Sequence, residues 1–320
     1  MLAWAPALKG QDPQFTQFYS NPLYLNPALA GTGECSRIML NYRNQWPSIA
    51  SGFTTYNFAV DHYVRALSGG IGIMLFNDNA SGVINTLHAS AIYAFHLNLS
   101  ADMQLNAGFE VSYHQQRLDW DELIFSDMID RNTGAVIPSN TIEQEPSATA
   151  QGVTDFSAGL MLGIREKYFI GVASHHLTQP DLSYYSNNDI GPLYRKYTLH
   201  AGAEFVLKEG EYRSERGRMY LQPGVLVQLQ QDAQQVNAGF NVDYSPLTLG
   251  VWYRHNFSNP DGIAALVGIK HRSFKMGYSY DFTMSKLNDG SGGAHEVSLA
   301  FMFACNKKRN RPGAIKCPEF

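Results

Sequence analysis

The chain has 320 residues, with 24 basic against 28 acidic side chains and a formal net charge of −4, so it offers no single-signed field to a nucleic acid. Its 44% hydrophobic and 12% aromatic content excludes a disordered polypeptide. No run of about 18 apolar residues occurs, which excludes a helical membrane span.

In chain order, residues 1–10, MLAWAPALKG, read as the tail of a secretory signal: a short apolar run without a basic leading region, and a pointer to export. Residues 11–34 form a strap that opens with QDPQFTQFYSNPLYLNPALAG. Asn21-Pro22 and Asn26-Pro27 break any regular element there. Yet Phe15, Phe18, Tyr19 and Tyr24 give the strap apolar surface that must be buried somewhere.

From Ser36 onward, apolar and polar residues alternate with period two. Met103, Leu105, Ala107, Phe109, Val111 and Tyr113 fall on one face; Gln104, Asn106, Gly108, Glu110, Ser112 and His114 fall on the other. Strand side chains alternate in direction, so each such segment has one apolar and one polar face. The pattern recurs over 36–45, 53–63, 69–77, 83–97, 101–116, 155–165 and 168–177. It continues over 195–207, 218–230, 235–245, 247–257, 263–272, 274–283 and 295–304. These are about fourteen segments of roughly ten residues, an even number of the length that crosses a bilayer when tilted.

A soluble β-sandwich would bury the same faces against a second sheet. The connections favour a membrane barrel, because tight ones (165–167, 245–247, 272–273) alternate with long ones (117–153, 178–194, 283–294). Residues 208–217 are an overlong member of the tight set. Aromatics near strand ends, such as Tyr42, Tyr56, Tyr93, Phe95, Tyr253 and Phe282, match interfacial girdles. The expected fold class is therefore all-β: a single-domain transmembrane antiparallel β-barrel of about fourteen strands over 35–304. Arg43, Asn57, Asp61, His88, Glu110, His114, Asp243 and Asp281 are among the side chains expected to line its lumen. The strap is expected on the periplasmic side, extended and packed into the lumen mouth.

Motifs of catalytic chemistry are missing. No His-Glu-x-x-His, Gly-x-Ser-x-Gly or phosphate-loop pattern occurs, and no enzyme, cofactor or metal is expected. His175-His176 is the strongest metal suggestion, but neighbours on a strand point to opposite faces and share an ion only across a bulge. Gly69-Gly70-Ile71-Gly72 reads as close packing within a strand. The 118–130 loop carries Asp119, Asp121, Glu122, Asp127 and Asp130 without calcium-loop spacing, and reads as a solvated acidic loop. Its length makes Trp120, Asp121, Phe125 and Asp127 candidate partner contacts. The tail, 305–320, places Lys307, Lys308, Arg309 and Arg311 just beyond the last strand, as a membrane-surface anchor, an arm for an acidic partner, or a solvated end. Cys305 and Cys317 can close a small disulfide loop there. Cys35–Cys305 is the rival pairing, since first and last strands of a closed barrel are neighbours.

Several stretches resemble the PorP/SprF outer-membrane proteins of the type IX secretion and gliding-motility system. They are the strap itself, LNYRNQWPSI (40–49), LDWDELIFSDMID (118–130), SHHLTQPDLSYY (174–185), GYSYDFTMSKL (277–287) and GGAHEVSLAFMFAC (292–305). The tail ending AIKCPEF is similar to that family's C-terminal signature. The resemblance implies a non-enzymatic, integral outer-membrane protein with both termini in the periplasm. It implies a role in exporting, tethering or moving cell-surface proteins. The implied partners are a secreted adhesin or its C-terminal sorting domain, periplasmic ring or adaptor proteins, and the lipid bilayer. The alternative role is a diffusion channel or hydrophobic-solute transporter.

Overall fold

The computed structural model describes residues 11–33, 35–49, 52–137, 141–184, 192–210, 217–257, 259–271, 273–284 and 292–303. Antiparallel pairing joins β1 (Arg37–Gln45), β2 (Phe53–Val64), β3 (Gly69–Ala80), β4 (Ile84–Asn98), β5 (Met103–Leu118), β6 (Ala150–Ile164) and β7 (Tyr168–His175). The ladder continues through β8 (Lys196–Ala203), β9 (Phe205–Lys208), β10 (Met219–Gln230), β11 (Ala233–Tyr244), β12 (Leu247–Asn256), β13 (Asn259–His271), β14 (Phe274–Thr283) and β15 (Ala294–Met302). β8 and β9 are successive halves of one stave, interrupted at Glu204, and both pair with β10. β15 pairs with β1 from Arg37↔Met302 to Gln45↔Ala294, which closes a barrel of fourteen staves. Among the described residues, no helix is long and apolar enough to cross a membrane.

Burial is inverted relative to a soluble protein. Ile73 and Leu249 on the outer wall are 58% and 59% exposed, whereas Glu110 and Glu296 on the inner wall are 1% and 0% exposed. Such an outer surface is stable only against hydrocarbon, and the polar wall only if its groups are satisfied inside. Tyr42 and Tyr56 meet across β1 and β2 on the outer wall near one rim, while Tyr93, Tyr168 and Tyr244 face outward near the other.

Every expected strand coincides with one stave, with differences at the ends. β6 begins at Ala150, pairing 150–152 with Gln115–Arg117 of β5. A stave that projects past the hydrocarbon band needs no apolar alternation, so this extension left no period-two signal. β7 stops at His175 because His176 adopts φ 58°, a left-handed conformation that turns the chain off the ladder.

One rim carries the turns 65–68, 99–102, 165–167, 245–246 and 272–273 together with the connection 209–218. The opposite rim carries the long connections 119–149, 176–195 and 284–293, together with 46–52 and the tight connections 81–83, 231–232 and 257–258. They are called the turn rim and the loop rim below.

Candidate functional site

The strap threads the lumen. Its start lies at the loop rim, where the Asp12 N–H donates to Gln230 Oε1 at 3.0 Å and Gln230 Nε2 donates back to Asp12 Oδ1 at 3.0 Å. Its end lies at the turn rim, where the Gly31 N–H donates to Asp61 Oδ2 at 2.7 Å and Arg37 pairs with the same carboxylate at 2.6 Å. The last described residue, Phe303, bonds Ser36 at the turn rim. The two described ends therefore lie at opposite rims, and the strap fills the lumen instead of resting at the mouth on the turn side. Nor is it extended. It forms short turns at Phe18–Ser20, Pro22–Leu25 and Pro27–Leu29. Pro22 and Pro27 each open a turn, a position that needs no N–H and suits proline's fixed φ.

Three groups of contacts hold it. Near the loop rim, Arg43 from β1 donates to Thr16 Oγ1 at 2.6 Å, to Glu296 Oε2 at 3.0 Å and to Asp281 Oδ2 at 3.0 Å. Glu296 accepts the backbone N–H groups of Thr16 and Gln17 at 2.7 and 3.0 Å. Asp281 accepts Thr16 Oγ1 and also pairs with Arg254. These charges are buried, so each depends on its partners to offset lost hydration.

Deeper in, the strap packs by shape. Phe18 meets Trp252 edge-on at 4.9 Å, Tyr19 meets Phe169 at 5.7 Å, and Tyr24 meets Phe76 at 5.7 Å. Asn26 is a hub: its Oδ1 accepts the Ala28 N–H at 2.9 Å, and its Nδ2 donates to the Leu160 and Val172 carbonyls at 3.2 Å each. Glycines on the inner wall make the room. A Cβ on Gly108 would strike the Ala28 backbone, and one on Gly70 the Ala30 carbonyl. Gly70 belongs to the Gly69–Gly72 stretch read from sequence as close packing.

A chain of buried imidazoles and carboxylates closes the loop-rim end. Asp12 Oδ2 meets Lys196 Nζ at 2.6 Å and His176 Nε2 at 2.9 Å, while His176 Nδ1 meets Asp155 Oδ2 at 2.8 Å. Burial alone would lower the His176 pKa. Asp12's charge, with the hydrogen bonds that the His176 ring donates to Asp12 and Asp155, outweighs it and raises the value to about 9. His176 is thus an imidazolium clasped by two carboxylates, one from the strap and one from the wall. His175 is buried as well, 3.9 Å from Glu110. The left-handed turn at His176 removes the expected opposition of the two side chains, although they still face different carboxylates.

The four strap aromatics named from sequence are brought together here: Phe15, Phe18 and Tyr19 are buried and Tyr24 half-buried. The charged wall residues that clasp the strap carried one weak signal, a charge on the polar face of a strand. Nothing in the sequence paired Arg43 with Asp281 and Glu296.

The loop residues lie apart from the lumen. Trp120 and Phe125 pack on each other at 5.0 Å, and Asp121 is exposed. Asp127 Oδ2 accepts the Ile142 N–H at 2.8 Å and so braces the loop internally. Hydrogen bonds from the Thr133 and Asn132 N–H groups hold the Asp130 carboxyl below its ordinary range. Lys307, Lys308, Arg309, Arg311, Cys305 and Cys317 lie outside the described residues. Cys35 is disulfide-bonded.

A closed barrel with an apolar outer wall and its own N-terminal segment bound along the lumen defines a plugged transmembrane β-barrel protein. The sequence profile of the type IX secretion system membrane protein family PorP/SprF matches residues 7–301. The chain belongs to that family, and it is an outer-membrane component of the secretion system. Arg43 of LNYRNQWPSI, His176 of SHHLTQPDLSYY, Asp281 of GYSYDFTMSKL and Glu296 of GGAHEVSLAFMFAC all meet the strap, so four of the stretches that resembled the family grip it from the inner wall, whereas LDWDELIFSDMID lies in the loop.

Among solved structures, the outer membrane protein Omp33 of Acinetobacter baumannii is similar, with a TM-score of 0.45, 7% identity, and coverage of 84% of this chain and 98% of that one. A Pseudomonas aeruginosa FadL homologue has a TM-score of 0.42 and 12% identity, covering 84% of this chain and 90% of its own. CdiB from Acinetobacter baumannii has a TM-score of 0.43 and 6% identity, covering 84% and 60%. All three are distant, and the assignment rests on the family match and the barrel geometry. No curated protein matches the chain significantly.

Proposed function

We propose that this protein is a non-enzymatic anchor of the type IX machinery, with the loop rim outside the cell and the turn rim facing the periplasm. It helps export, tether or move surface proteins. Its partners in this reading are a secreted adhesin, or that adhesin's C-terminal sorting domain, at the loops, and ring or adaptor proteins at the turn rim. The observation that supports an anchor over a diffusion channel is the filled lumen. A strap hydrogen-bonded to opposite walls over the barrel's height leaves little room for solute and ties the staves into a rigid body. Load on the 119–149 loop can then pass to the periplasmic side without deforming the wall. The basic residues Lys307, Lys308, Arg309 and Arg311 supply a docking arm for an acidic partner there.

Two measurements test this. Affinity capture of the full chain from detergent-solubilised membranes should co-purify a secretion component or a surface protein; recovery of neither defeats the role while leaving the fold intact. In planar bilayers the full chain should give no stable conductance, and steady open-channel currents would favour the transporter reading.

A further inference from the structure

We propose that His114, Asp155 and His176 form a binding site for a zinc-class divalent cation, a structural ion that would fasten the strap at the loop rim. His114 and Asp155 come from β5 and β6 and His176 directly follows β7, and one donor atom of each lies within 4.8 Å of the others. All three side chains are buried, at 8%, 0% and 6% exposure. Two imidazoles and a carboxylate are a common zinc donor set, with bonds of about 2.0–2.2 Å and a fourth place for water or another oxygen. His114 Nε2 is 3.9 Å from Asp155 Oδ2, and His176 Nδ1 is 2.8 Å from the same oxygen. Small side-chain rotations close this set around an ion.

The surroundings have the form that a metal's outer shell takes. A ligating histidine usually gives its second ring nitrogen to a carboxylate or another acceptor, which fixes its orientation. His176 presents Nε2 to Asp12 at 2.9 Å. His114 presents Nδ1 to His88 Nδ1 at 3.3 Å, and His88 Nε2 in turn meets Glu110 at 3.3 Å. Ser112 Oγ, 3.2 Å from His114 Nε2, is placed to donate a fourth oxygen. Nearby, the buried His175 Nε2 has no hydrogen-bond partner. On binding, the ion takes the place of the proton between His176 Nδ1 and Asp155, and that proton leaves to solvent. Through Asp12, the ion would couple the strap's leading end to the wall.

The test is titration of metal-stripped, detergent-purified full-length protein with zinc chloride by calorimetry, with cobalt(II) absorption as a second readout. One ion per chain is expected, with cobalt bands of nitrogen and oxygen coordination. His114→Gln and Asp155→Asn should weaken binding at least tenfold, Asp12→Asn by about 10–100-fold as an outer-shell change, and His62→Ala on the barrel exterior should leave it unchanged. Retention of the compact, heat-sensitive gel mobility confirms that a variant is folded; if the inner variants fail to fold, Asp12→Asn and the cobalt spectrum decide. Absence of stoichiometric binding overturns the proposal. So does affinity that none of these substitutions changes, which would mark the metal as adventitious.

Discussion

The two halves of the strap are held by different physics. Residues 12–17 are gripped by charge: Asp12 by Lys196 and His176, and Thr16 and Gln17 by the Arg43, Asp281 and Glu296 set. Residues 26–31 are gripped mainly by fit, with backbone pressed against wall glycines and one asparagine bridging two staves, and the Arg37–Asp61 pair holds the end at Leu29 and Gly31. An ionic grip tolerates small displacements but fails sharply when one charge is lost, because its partners stay buried and uncompensated. A packed grip degrades in proportion to the volume added or removed. A plug built from both is anchored at the loop rim by a few decisive residues and aligned at the turn rim by many modest ones.

Three substitutions separate the two grips, and a fourth, on the exposed loop, leaves both intact. Arg43→Ala should act most strongly, destabilising the barrel by about 3–5 kcal/mol as Glu296 and Asp281 lose a buried partner. Urea unfolding in lipid vesicles, followed by tryptophan fluorescence, measures this, and a loss below about 1 kcal/mol would mean that water solvates the clamp. Gly108→Val should cost about 1–3 kcal/mol by overpacking against Ala28. It should also displace the strap, read as new conductance in planar bilayers. Asn26→Ala should cost about 1–2 kcal/mol through the lost turn cap and the two abandoned carbonyls. It should leave conductance near wild type while the ionic end holds. Asp121→Asn, exposed on the 119–149 loop, should change stability by no more than about 0.5 kcal/mol, so a loss of partner capture there would report on binding alone.

The family stretches in the sequence mark the clamp without describing it. The polar-face charges Arg43 and Asp281 were legible as luminal residues, since alternation places them opposite the lipid-facing side chains. Their common partner Thr16 was not, because the strap has no period from which a direction can be read. His175 and His176 show the limit most plainly. Alternation set them on opposite faces, and a single left-handed residue placed both in the lumen.

What the sequence determined by itself was the wall: the staves, their two faces, and the rim that carries the long loops. Each of these depends on side-chain direction between near neighbours, which is local and periodic. What only the tertiary structure decided was the content of the barrel. Thr16 and Glu296 meet across 280 positions of sequence, and Asp12 chooses His176 and Lys196 only after the sheet has closed. Such pairings depend on where a closed wall brings distant groups into a space with little water, and no local pattern encodes that.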